Sequence, residues 1–237
     1  MSILIERGIE QIFHVIPLHY LPFIVRSKSL KPKPYLINEG FTTSHFRSKS
    51  KHLDEQRGFG DYLHLSSISE PPILEAKLGA GFPHLSLSIS VKYLKNIKFD
   101  LCRYNIAMTR KLRRGDSAGF NESPENGYYF GDMQIPIARS DQQKSDLILS
   151  NPNRMLELLS KDLVPLGEST SLHVFNSDDR KTVDEVLQKL GCNWTVQVNN
   201  ALNYTARDQY RDSCNNFIKT CLNNPDWKGN GLEFDKV

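Results

Sequence analysis

Residues 84–91, His-Leu-Ser-Leu-Ser-Ile-Ser-Val, alternate apolar and polar side chains without a break. A period of two fits an extended strand, because successive side chains of a strand leave opposite faces. Leu85, Leu87, Ile89 and Val91 therefore share one face, and Ser86, Ser88 and Ser90 the other. The chain must fold around a sheet. Other apolar runs along its length are equally short, which argues for many brief strands and few helices.

Ile9 to Ile16 reads as a largely buried strand, and Pro17 opens a helical turn in which Leu18, Leu21 and Val25 keep helical spacing while Pro22 holds the helix short. Residues 31–60 are polar and lack periodicity, as a functional segment or a cover over a site would. DYLHLSSI (61–68), FDLCRYNIAM (99–108), MQIPIA (133–138), LHVF (172–175) and NWTVQVN (193–199) read as further strands. Val183, Val186, Leu187 and Leu190 define a helix, with Ser177 as candidate N-cap and Gly191 just past its end. Cys214, Phe217, Ile218, Cys221 and Leu222 form an apolar stripe near the end of the chain. This order predicts a mixed α+β domain over residues 1–204, with residues 205–237 as an appendage packed on its core.

The 237 residues suffice for one such domain. No GxGxxG follows a strand and no Walker A sequence is present, so a nucleotide would need another architecture. The four cysteines lack metal-finger spacing and read as free thiols. No apolar run is long enough to span a membrane, and MSILIERGIEQIF does not read as a signal peptide, so a cytoplasmic protein is expected. The net charge of +3 is unevenly spread. Arg110, Lys111, Arg113 and Arg114 cluster, and Arg47, Lys49 and Lys51 form a second basic stretch. Such clusters suit phosphates, although most are simply solvated faces.

Four segments, in order, resemble the DarT-like DNA ADP-ribosyltransferase toxins and the related mRNA-modifying toxin CmdT. IFHVIPLHYLPFIV is similar to that family's opening strand and helix, with its aromatic-His pair. GDYLHLSSISEPPIL resembles its D-Y-V-P-F-Y-F…R-S-P-M-L segment, although Ser69-Glu70-Pro71-Pro72 departs from the second half. DMQIPIA resembles its Q-A-E-F-L-V-Y strand, and LHVFNSDDRKTVDEVLQKLG its closing strand and helix. The resemblance implies an ADP-ribosyltransferase fold, two small packed β-sheets with short helices around an NAD⁺ cleft. It also implies a pentosyl transfer that moves ADP-ribose from NAD⁺ onto a base of single-stranded DNA or mRNA, with no metal.

On this resemblance His14 binds the ribose beside nicotinamide, where a satisfied core histidine is the plainer alternative. Arg47, with Arg57 as rival, takes the NAD⁺ phosphates through its planar fork. Tyr62 stacks on nicotinamide or fills the core, and Ser86 braces the site or faces solvent from an edge strand. In residues 115–131, rich in glycine, Tyr128 and Tyr129 offer faces for an unpaired base, and Arg110, Arg113 and Arg114 lead into that loop.

Cleaving the nicotinamide–ribose bond builds positive charge on the ribose, and a nearby carboxylate stabilises it. Aligning D-M-Q with Q-A-E puts the expected catalytic glutamate at Gln134, which is neutral and no base. Three readings stand: an engineered Glu-to-Gln change, a shifted alignment with Asp132 supplying the carboxylate, or a naturally inactive chain. A protein-modifying transferase and a catalytically dead nucleic-acid-binding module are the rival functions. The family setting implies a toxin–antitoxin or phage-defence system, with an antitoxin protein as partner.

Overall fold

A computed structural model describes residues 2–41, 58–103, 127–130, 133–150, 155–202 and 204–229. Eleven strands run through them in chain order: β1 Gln11–Pro17, β2 Ser29–Leu30, β3 Leu63–Ser66, β4 His84–Ser90, β5 Asp100–Cys102, β6 Gly127–Phe130, β7 Met133–Ala138, β8 Glu157–Ser160, β9 Val164–Pro165, β10 Ser171–Val174 and β11 Thr195–Val198. Seven α-helices accompany them: α1 Ser2–Glu6, α2 Leu21–Ser27, α3 Lys33–Asn38, α4 Pro72–Gly79, α5 Asp141–Leu149, α6 Ser177–Lys189 and α7 Asp208–Asn223. The chain is a mixed α+β protein.

Nine strands form one sheet in the order β11-β10-β4-β1-β3-β8-β5-β7-β6, and β2 pairs with β9 apart from it. Two small sheets are expected from the resemblance, and the reason for the difference lies at one seam. β1 pairs with β4 along its whole length, from Gln11–Ser90 to Pro17–His84. Against β3 it makes a single rung, Phe13 opposite Ser66. The sheet is thus two half-sheets held by one rung, with β11-β10-β4-β1 on one side and β3-β8-β5-β7-β6 on the other.

The alternation in β4 does what a period of two requires. Leu85, Leu87 and Ile89 are fully buried on one face, where Ile12, Ile16, Leu65, Leu101, Leu158 and Leu172 join them. Helix α6 covers this face with Val183, Val186 and Leu187. Ser86 and Ser88 are buried as well, because β4 is an interior strand between β1 and β10 and not a solvent-facing edge. On their side of the sheet, α4 inserts Leu74 and Leu78 beside Phe175 and Tyr204.

Helix α6 begins one residue earlier than its serine suggests. Asn176 is the N-cap, its side-chain oxygen accepting from Asp179 N at 2.7 Å. At the other end Gly191 takes φ +61°, while Gly191 N donates to Gln188 O and Cys192 N to Leu187 O. That pair of bonds is the Schellman closure, and a residue with a Cβ is strained in the left-handed conformation it needs. Pro22 lies in the first turn of α2, so it starts that helix instead of shortening it.

Helix α7 buries Tyr210, Cys214, Phe217, Ile218 and Cys221. It packs against α2, α6 and the 3-10 turn Leu18–Tyr20. Arg26 on α2 donates to Cys221 O at 2.8 Å across this contact. No helix among the described residues is long and apolar enough to cross a membrane.

Candidate active site

The seam between β1 and β3 is where polar chemistry concentrates. Beside the Phe13–Ser66 rung, the His14 ring donates from Nδ1 to the main-chain carbonyl of His64 at 2.8 Å. Burial pushes the His14 pKa down to about 4, more than the His64 carbonyl raises it. His14 is therefore neutral near pH 7, its one proton is on Nδ1, and Nε2 is left as an acceptor.

His14 lines a cavity of about 190 Å³ between β1, α2 and α3. Tyr20, Phe23 and Phe41 supply aromatic walls, and Leu63 closes the side toward β3. Lys31 and Glu39 also reach the lining, tied to each other by contacts of 2.5 and 2.7 Å. The aromatic wall is braced from the end of the chain. Phe217 packs on Tyr20 and Phe23, Trp227 on Phe23, and the Lys228 ammonium sits 4.6 Å from the Phe41 ring centre. The apolar stripe of α7 thus reaches the site through the ring of Phe217.

On the far side of the seam stands a buried carboxylate. Glu157, at the start of β8, is only 3 % exposed. Its Oε1 lies 3.0 Å from His64 Nδ1, and His64 Nε2 lies 3.2 Å from the carbonyl of Phe59. Register sets Glu157 opposite Ser66, which is itself opposite Phe13, so Glu157 leaves the sheet on the face opposite to His14. His64 joins the two, offering its carbonyl to one and its ring to the other. His14 borders the seam, and Glu157 lies one strand beyond it, on β8.

The residues singled out from sequence fall in three places. Ser86 pairs with Val15 and His173, not with His14, and its buried hydroxyl has no hydrogen-bond partner among the described residues. Tyr62 does not line the cavity. It packs on Phe59 at 4.9 Å beneath the Lys161 ammonium, in a small cluster with Cys102, Ile137 and Leu159. Gln134 pairs with Tyr129, and Tyr128 with Ile135, on β7 and β6 at the edge of the sheet, with β5 between them and β8. Arg47, Arg57, Arg110, Arg113, Arg114 and Asp132 lie outside the described residues.

Sequence reading passed over Glu157, His64 and the aromatic cavity wall. The signal for Glu157 was present: it is a lone acid inside Met155-Leu156-Glu157-Leu158-Leu159. His64 stands where D-Y-V-P-F-Y-F has proline, and nothing local marked it. Among the described residues no cluster of three or more His, Cys, Asp or Glu is placed to hold a metal ion.

No protein-family model matches the sequence, and a comparison with curated proteins gives no match. Solved structures do match. DarT of Thermus sp. 2.9 in complex with ADP-ribosylated single-stranded DNA superposes with a TM-score of 0.53 at 14 % identity, covering 82 % of this chain and 96 % of that one. The chain has the fold of DarT. The same Thermus protein in complex with carba-NAD⁺ matches with a TM-score of 0.49 at 14 % identity, over 85 % of this chain and 97 % of that one. At this identity the likeness to DarT is one of architecture, and the chemistry rests on the side chains at the seam.

Proposed function

We propose that this chain is an ADP-ribosyltransferase that takes NAD⁺ at the β1–β3 seam and transfers ADP-ribose to a base of single-stranded nucleic acid, with Glu157 as the catalytic carboxylate. One observation carries the reading: in a DarT fold a buried carboxylate and a neutral histidine lie on either side of β3, on opposite faces of the sheet, and are linked through His64.

The residues fit the donor. His14 Nε2 is an acceptor for a ribose hydroxyl, and the aromatic walls of the cavity suit a flat ring. NAD⁺ brings a ribose whose bond to nicotinamide breaks when positive charge on the sugar is stabilised. Glu157 supplies that negative charge from a site shielded from water, where its field is strongest. With Glu157 in this role, Gln134 needs no restoration and the chain is active as it stands. Arg47 is assigned to the NAD⁺ phosphates. Tyr128, Tyr129, Arg110, Arg113 and Arg114 are assigned to the nucleic-acid strand.

The Thermus DarT structure was obtained with ADP-ribosylated single-stranded DNA, which favours a nucleic-acid acceptor here over a protein. A toxin role with an antitoxin protein follows from the same reading. The test is incubation with labelled NAD⁺ and separate single-stranded DNA, RNA and protein pools, with Glu157→Gln in parallel. Label is expected on nucleic acid with the native chain and on nothing with the variant. Label on protein alone would replace the acceptor. No label, together with NAD⁺-independent nucleic-acid binding, would replace the enzyme by a binding module.

A further inference from the structure

Among the described residues Lys31 is the only cationic side chain that lines the cavity, and Glu39 the only acid. The Lys31 ammonium contacts both carboxylate oxygens of Glu39, at 2.5 and 2.7 Å. The Glu39 side chain is 40 % exposed and that of Lys31 16 %, so the pair stands at the opening with its carboxylate on the outer side. Its two ends are held unequally. Lys31 follows β2, where Leu30 is buried and pairs with Val164 on β9. Glu39 caps the end of α3, a helix with no buried residue, and Gly40 then turns the chain at φ +80°. Lys31 is thus anchored to the body of the protein, and Glu39 rides on a surface helix. An ion pair open to water stabilises little, so it exchanges partners at small cost.

We propose that Lys31 binds the pyrophosphate of NAD⁺ at the mouth of the cavity, and that Glu39 holds its ammonium there until the donor arrives. The proposal rests on the cavity being the NAD⁺ site. At about 190 Å³ the cavity is smaller than the roughly 300 Å³ or more that buries a drug-sized ligand. It therefore takes one ring of the dinucleotide and leaves the pyrophosphate at the opening. Deeper in, His14 Nε2 only accepts, and Ser27 Oγ is committed to the carbonyls of Ile24 and Ser29. Positive charge for an anion comes from Lys31, which joins Arg47, already assigned to these phosphates. Lys31 turns from carboxylate oxygens to phosphate oxygens and keeps charge-assisted hydrogen bonds in both states. The released Glu39 carboxylate then stands near the pyrophosphate and repels it, so that Glu39 orders the lysine and lowers the affinity for the donor.

The experiment measures binding of carba-NAD⁺, whose carbocyclic sugar resists cleavage, by isothermal titration to the native chain, Lys31→Met, Lys31→Arg and Glu39→Gln. Lys31→Met keeps the length of the side chain and loses its charge, and affinity is expected to fall about tenfold. Lys31→Arg keeps the charge and is expected to stay within about threefold of the native chain. Glu39→Gln frees Lys31, removes the repulsion and is expected to bind about threefold more tightly. Raising salt from about 50 to about 500 mM is expected to weaken the native chain more than Lys31→Met. Native affinity in Lys31→Met, within about twofold, overturns the proposal. An equal loss in Lys31→Met and Glu39→Gln also overturns it, because the pair would then be a brace for α3. Thermal unfolding shows whether each variant folds. If Lys31→Met does not, Glu39→Gln decides, and an affinity unchanged or weakened in it overturns the proposal. If the native chain itself does not bind carba-NAD⁺, the reading of the cavity as the donor site fails, and the Lys31 proposal with it. If the native chain binds and Lys31→Met binds equally well, the Lys31 proposal alone fails.

Discussion

The His14 ring gives its Nδ1 proton to the carbonyl of His64 at 2.8 Å, and this bond decides which nitrogen is left for a ligand. With the pKa pushed down to about 4 by burial, Nε2 stays an acceptor across the neutral range. His14→Ala is expected to raise KM for NAD⁺ by about tenfold, the cost of one hydrogen bond to a sugar hydroxyl. NAD⁺ affinity of the native chain is expected to be flat from about pH 6 to about pH 8 where His14 is concerned, and to fall only as pH approaches 4. Isothermal titration at several pH values checks both. A KM unchanged in His14→Ala would return His14 to the role of a core histidine.

Glu157→Gln keeps the shape of the side chain and removes its charge. Transfer is expected to drop by about a hundredfold or more, with the protein still folded. Gln134→Glu, the change suggested by alignment alone, is expected to leave the rate within about threefold. Side-by-side rates of the two variants separate the candidate carboxylates, and a large gain in Gln134→Glu would move the site to β7.

What was legible in the sequence followed period and punctuation. The two-residue period of β4 and the helical spacing of α6, closed by Gly191, are local patterns, and both elements form as read. The seam was not legible, because one rung between strands fifty residues apart leaves no local trace. Helix α5 was missed although Ser140 and Gln143 form a capping box, Ser140 Oγ accepting from Gln143 N and Gln143 Oε1 from Ser140 N. Its first turns are too polar to announce a helix by periodicity. Glu157 was overlooked because its burial depends on β3 and β5 flanking β8, a tertiary fact that makes one acid among leucines significant.

The aromatic wall of the cavity makes α7 a support of the site. Phe217 is fully buried and touches His19, Tyr20, Phe23 and Trp227. Phe217→Ala is expected to destabilise the fold by about 3–5 kcal/mol. Phe217→Leu is expected to cost less and to weaken NAD⁺ binding through Phe23. Thermal unfolding and NAD⁺ titration measure the two effects. A binding constant unmoved in Phe217→Leu would separate α7 from the site.

Asp179, buried in the first turn of α6, carries a pH dependence of stability. Burial pushes its pKa up to about 6, against the pull of Arg211 and the hydrogen bond from Asn176 Nδ2 at 3.2 Å. An acid whose folded pKa is raised favours folding in its protonated form. Its stabilisation is complete below the unfolded value near 3.8 and is lost as pH rises through about 6. Asp179→Asn fixes the neutral form without changing the shape of the side chain. At pH 7.5 the variant is expected to be more stable than the native chain by on the order of 1–2 kcal/mol, and at pH 4 the two should match. Denaturant midpoints at the two pH values decide it. A variant less stable at pH 7.5 would mean that the charge of Asp179, through Arg211 and the N-terminus of α6, contributes more to the fold than its burial costs.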